Sequence, residues 1–190
     1  MEYALGFDEG PAAVPAGSGI LLMHPSTMDA DTFETAFLTA ADDPALLIST
    51  HSAAREVQQK IEHYGLDPGR VEILDTISVD RGYTRRQADG VTYLSSPDDL
   101  DGLLTATEEF LERRGPPARV SVDSVTELRY YADDERVTSA LASMLEILEE
   151  YEAVGLFQLA ADGEDAVAAL RDRFAGVLEV DEDGGVTATF

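Results

Sequence analysis

Gly19-Ile20-Leu21-Leu22-Met23 is an unbroken apolar run, closed by the polar turn His24-Pro25-Ser26-Thr27. A strand with one wet face alternates apolar and polar residues, so a continuous run predicts a strand covered on both faces. After the turn a helix is expected to open near Asp29 or Asp31, with Phe33, Ala36, Phe37 and Ala40 on one face. A buried strand followed by an amphipathic helix is the unit of a parallel α/β sheet.

The unit recurs along the chain. Buried strands are predicted over 45–50, 71–75, 120–123, 154–159 and 177–180, with shorter ones over 93–95 and 186–190. Ser52 is the expected cap of a helix that carries Val57, Ile61 and Tyr64 and stops at Gly65. Ser96-Pro97-Asp98-Asp99 predicts another helix start, running to about Arg114, and Pro116-Pro117 breaks the chain before the 120–123 strand. Val137, Leu141, Met144, Leu145, Leu148 and Tyr151 mark a strongly periodic helix, and 165–174 a further one. Asp183-Gly184-Gly185 predicts a terminal hairpin. Residues 77–92 read as a long loop containing Arg81, Arg85 and Arg86, the most basic segment of the chain. With no repeat and no low-complexity linker, 1–190 is expected to be a single α/β domain whose mostly parallel, twisted sheet ends in an antiparallel hairpin.

Charge narrows the function classes. Asp and Glu number 38 against 13 basic residues, a formal charge of −25 on 190 residues, and every basic residue except Lys60 is arginine. Such a surface repels nucleic acid and anionic lipid, so neither is an expected partner. With 44% hydrophobic residues the chain is too apolar for a disordered acidic tail. A folded, acidic, nearly lysine-free domain fits a molar-salt cytoplasm, where a Debye length of about 3 Å screens self-repulsion. No apolar stretch is long enough to span a bilayer, and Met1-Glu2-Tyr3 followed by Asp8 and Glu9 lacks the positive start of a signal peptide, so a cytoplasmic location is expected. Zero cysteine excludes disulfides, thiolate metal sites and cysteine nucleophiles.

Pro15-Ala16-Gly17-Ser18-Gly19 before the first strand resembles the opening of a RecA- or KaiC-like ATPase core. The resemblance continues through Leu46 to Thr50, Ser52-Ala53-Ala54-Arg55-Glu56, His63-Tyr64-Gly65-Leu66-Asp67 and the strand Arg119-Val120-Ser121-Val122-Asp123-Ser124, which is similar to a Walker B strand. Phe174-Ala175-Gly176-Val177-Leu178-Glu179-Val180 is similar to a late strand of the same core. Over residues 15–185 the resemblance implies a three-layer α/β/α RecA-like fold of the P-loop NTPase class. It implies an ancestral Mg-ATP site at His24, Ser26, Thr27, His51, Asp123 and Ser124.

The departures from that family remove the chemistry. A phosphate loop needs glycines whose N–H groups surround phosphate, and a lysine followed by a hydroxyl residue. Residues 24–31 contain neither glycine nor lysine, Pro25 has no N–H, and Asp29 and Asp31 place negative charge where phosphate would sit. The paired glutamates that such ATPases carry after the second strand are here Thr50-His51, and Lys60 lies in another helix. The expectation is a pseudo-ATPase without ATP, magnesium or other metal, in which Asp123 hydrogen-bonds a neighbouring loop and His24, Ser26, Thr27, His51 and Ser124 are vestigial. Function is expected in regulation or signalling through a protein partner, or through self-association, as a degenerate member of this family in haloarchaea. Arg81, Arg85 and Arg86 are the candidate partner contacts. The alternatives are a non-hydrolysing nucleotide or small-ligand binder, an ATPase with a non-standard phosphate loop, and an unrelated enzyme at the sheet's carboxyl end. The hydroxyl residues show no nucleophile elbow, and adjacent acid pairs are expected by chance at this composition.

Overall fold

The computed structural model describes residues 1–28, 30–83, 89–160 and 168–190. Its strands are β1 (Glu2–Ala4), β2 (Ala13–Pro15), β3 (Gly19–His24), β4 (Ala45–Ser49), β5 (Val71–Asp75), β6 (Val91–Tyr93), β7 (Arg119–Val122), β8 (Val154–Ala160), β9 (Gly176–Val180) and β10 (Val186–Thr189). The helices are α1 (Asp31–Thr39), α2 (Ala54–His63), α3 (Leu100–Arg114), α4 (Val125–Tyr131) and α5 (Asp134–Glu150), with a 3-10 segment at Ala168–Arg173.

Eight strands form one sheet in the order β10-β9-β3-β8-β7-β4-β5-β6, and every pairing is parallel except β9 with β10. The apolar runs are explained by their surroundings. Ile20 and Leu22 point to the layer of α1 and α2, where Phe37, Leu38, Val57 and Ile61 cover them. Leu21 and Met23 point to the opposite layer, built by α3, α4 and α5. Three layers and a mostly parallel sheet with an antiparallel carboxyl-terminal hairpin are thus as the sequence predicts. Gly19 and Gly155 lie side by side on β3 and β8, and a Cβ on either would collide with Leu145 or Leu148 of α5. Their missing side chains let α5 lie close against the sheet.

Several local expectations need correction. The small hairpin β1–β2 was not expected, since three-residue strands are too short to display a period. α4 is also new, and its seven residues make about two turns, too few to show a clear period. Ser52 does not cap α2. Ala53 occupies that position, its amide bonded by the Glu56 carboxylate at 2.9 Å, while Asp75 accepts from the Ala54 amide at 2.6 Å. Nor does Ser96 cap α3, because Asp99 accepts from the Gly102 amide at 2.9 Å and the helix begins four residues later than Ser96. β6 begins at Val91, inside the stretch expected to be loop, and 77–83 make compact turns anchored on Asp75. Arg85 and Arg86 fall outside the described residues, as do Asp29 and the first part of the 165–174 helix, whose described remainder is 3-10.

One buried cation ties the amino-terminal hairpin to the sheet. Arg119 opens β7 at 0% exposure and donates to Asp43 at 2.9 Å, Ala4 O at 2.8 Å and Phe37 O at 3.1 Å. The Tyr3 and Phe37 rings flank its guanidinium with centroids at 5.6 and 5.1 Å. Three separate segments, 3–4, 37 and 43, therefore converge on one side chain.

Candidate functional site

The carboxyl ends of β3, β8, β7 and β4 open into a cleft of about 460 Å³. Open α/β sheets bind ligands at this edge. Its lining includes five of the residues singled out from sequence, His24, Ser26, His51, Asp123 and Ser124, whereas Thr27 is exposed and does not line it.

Asp123 follows β7 and is almost wholly buried. Ser49 Oγ lies 2.8 Å from its carboxylate, the Thr50 amide donates at 2.8 Å, Thr50 Oγ1 lies at 2.9 Å and His51 Nδ1 at 3.3 Å. Burial pushes this carboxyl up, but the donors from His51, Thr50 and Ser49 outweigh it and hold Asp123 below the usual range. The β4 terminus thus folds its own donors around the acid. His51, with 49% of its side chain exposed, is raised above the ordinary 6.5 by its bond to Asp123, against the opposing effect of burial.

These shifts have opposite consequences for stability. The His51 contribution is present below its unfolded value and is lost as pH rises through the raised folded value. The Asp123 contribution is present above the unfolded carboxyl value and is lost as pH falls through the depressed one. A proton NMR titration should find the His51 ring titrating above 6.5 and moving down on Asp123→Asn. A His51 midpoint unmoved by that substitution would refute the pairing.

Lys60 corrects the reading that places it elsewhere. Although it belongs to α2, its ammonium reaches the cleft, where it pairs with Asp31 and lies 2.8 Å from Glu34 Oε2. Burial would lower its pKa, but Glu34 and Asp31 more than offset this and raise it, so the ammonium stays charged. Glu34, 1% exposed on the inner face of α1, also accepts from Ser121 Oγ at 2.6 Å and Gln158 Nε2 at 3.1 Å. Burial is the main influence on Glu34 and raises its pKa against the pull of Lys60. Sequence reasoning missed Glu34, Gln158, Glu127 and Tyr130. The available signal was an acid three residues before Phe37 on the apolar face of α1, and the isolated lysine on α2.

The remaining sequence candidates are accounted for locally. His24 Nδ1 lies 3.0 Å from Pro25 O, and Ser124 Oγ caps α4 by accepting from the Glu127 amide at 3.1 Å. His63 packs edge-on against Tyr64. Arg81 donates to His51 O at 3.2 Å. Among the described residues no cluster of three or more His, Asp or Glu side chains is arranged to hold a metal ion, and no helix is long and apolar enough to cross a membrane.

Comparison with solved structures gives the fold. A KaiC-like protein of Pyrococcus horikoshii OT3 superposes with a TM-score of 0.64 at 19% identity, over 90% of this chain and 76% of that one. An uncharacterized protein of the same organism, crystallised in complex with an unknown peptide, gives 0.65 at 15% identity over 92% and 83%. An ATPase from the type III secretion system of pathogenic bacteria gives 0.62 at 14% identity, over 90% of this chain and 53% of that one. At these identities the likeness shows a RecA-like fold and nothing finer. No curated protein matches the chain. The family described as "Family of unknown function (DUF7090)" matches residues 1–190.

Proposed function

We propose, from the premise that the chain belongs to this family of unknown function, DUF7090, that it is a RecA-like domain without nucleotide turnover that acts in regulation or signalling through a protein partner. The observation that carries this reading is that the chain's own groups occupy what a phosphate would need. Phosphoryl transfer is mostly positioning and electrostatic stabilisation, so a cradle of N–H groups, a lysine and a magnesium-linked carboxylate are the catalyst. Here Lys60 is neutralised by Asp31 and Glu34, and the Asp123 carboxylate is surrounded by Ser49, Thr50 and His51. The 24–31 turn supplies no glycine and a proline. Asp31 and Glu127 add negative charge to the same lining.

Phosphate release and isothermal titration with Mg-ATP in molar KCl test this. The expected result is neither turnover nor micromolar binding. Turnover abolished by Asp123→Asn, or micromolar binding competed by ADP, would instead support an ATPase with a non-standard phosphate loop. The size of the cleft favours one second reading, a small-ligand binder, because about 460 Å³ falls within the range of ligand pockets.

A further inference from the structure

The acids and hydroxyls of the cleft floor are already partnered, but two acceptors on its wall are not. Gln158 on β8 is 4% exposed and lines the cleft. Its Nε2 donates to Glu34 Oε1, which fixes the amide because Glu34 also receives Ser121 and Lys60. Among the described residues nothing donates to the Gln158 Oε1 atom on the other side of that amide. This carbonyl oxygen opens onto the cleft and stands ready to accept from a ligand or water. Glu127 on α4 lines the same cleft, and among the described residues its carboxylate receives no hydrogen bond or ion pair. One helical turn on, Tyr130 stands 75% exposed at the rim.

An unpartnered carbonyl, a free carboxylate and an exposed aromatic ring all favour a donor-rich cation. We infer that the cleft receives the guanidinium of an arginine carried by a partner protein, with Gln158 Oε1 and Glu127 as acceptors and Tyr130 as the stacking face. Guanidinium fits better than ammonium because it is planar, offers several donors in a fork, stacks on aromatic rings and is more weakly hydrated. A contact enclosed in the cleft is also screened less by salt than an exposed pair, which suits an interaction that must persist in molar KCl. This inference rests on reading the domain as a protein-binding one, and it names what the partner presents.

The test uses the whole chain in molar KCl, with ¹H–¹⁵N NMR titration by an acetylated, amidated Gly-Arg-Gly peptide, its citrulline counterpart, free arginine and Mg-ATP. The arginine peptide is expected to shift the Gln158 side-chain amide and the backbone around Glu127 and Tyr130, and the uncharged citrulline peptide is not. Glu127→Gln should weaken the arginine peptide roughly tenfold, the scale of one charge-assisted hydrogen bond. No shift by the peptide, or equal shifts by arginine and citrulline peptides, would overturn the inference while leaving the proposed function intact. Shifts by free arginine but not the peptide would overturn the protein source of the guanidinium. Saturable cleft shifts with Mg-ATP would overturn the proposed function itself.

Discussion

Arg119→Ala is expected to destabilise the domain by about 3–5 kcal/mol, the scale for breaking a buried ion pair by removing one partner. A domain of this kind has a total stability of about 5–15 kcal/mol, so the variant should be close to unfolding in ordinary buffer. The loss is large because three acceptors are stranded at once. Asp43 loses its cation, and Ala4 O and Phe37 O lose their donor. The Tyr3 and Phe37 rings lose the group between them, and a cavity replaces the side chain. Chemical denaturation in molar KCl measures the total. Hydrogen exchange localises it, with the β1–β2 hairpin and the end of α1 losing protection first. A change below about 1 kcal/mol would mean that packing alone holds the hairpin, within the range of an ordinary surface substitution.

The second large effect is expected from salt. Raising KCl from about 0.1 M to above 1 M shortens the Debye length from about 10 to 3 Å, and the melting temperature should rise throughout. The chain carries −25 formal charges, and several of its few cations are already committed: Arg119 and Arg70 hold backbone carbonyls and Asp43, Lys60 holds Asp31 and Glu34, and Arg113 and Arg114 share Glu72. Salt also weakens exposed pairs such as Arg129 with Asp134 and Arg173 with Glu146, but ion pairs open to solvent add little to stability. Unpaired repulsion therefore sets the sign. A flat or falling melting temperature would show that the acidic surface has no role in tolerance to salt.

What sequence revealed follows from which forces are local. The strands over 19–24, 45–49, 71–75 and 154–160 were legible because burial on both faces leaves a mainly apolar run in the chain itself, interrupted internally only at Glu72 and Gln158. The carboxyl ends of the first two of these, and of the 119–122 strand, pointed to His24, His51 and Asp123, which the cleft does bring together. Lys60 and Glu34 were not legible as a pair, because their meeting depends on α1 and α2 lying side by side on one face of the sheet. Gln158 looks like an interruption of an apolar strand until Glu34 is seen beside it. The caps failed for a related reason. Ser52 and Ser96 are good N-cap types, but Asp75 from a neighbouring strand and Asp99 nearby supplied stronger acceptors.

The strand order also divides the sheet by when its parts become available. β7, β4, β5 and β6 all come from residues 45–122, so that half can pair while the chain is still emerging from the ribosome. β3 is made earlier than any of them, yet its two neighbours are β8 and β9, at 154–160 and 176–180. It must wait, apolar on both faces and open at both edges, through the synthesis of nearly the whole chain. Closing loops of that length makes the step slow, and an unpaired apolar strand is the hazard in the interval.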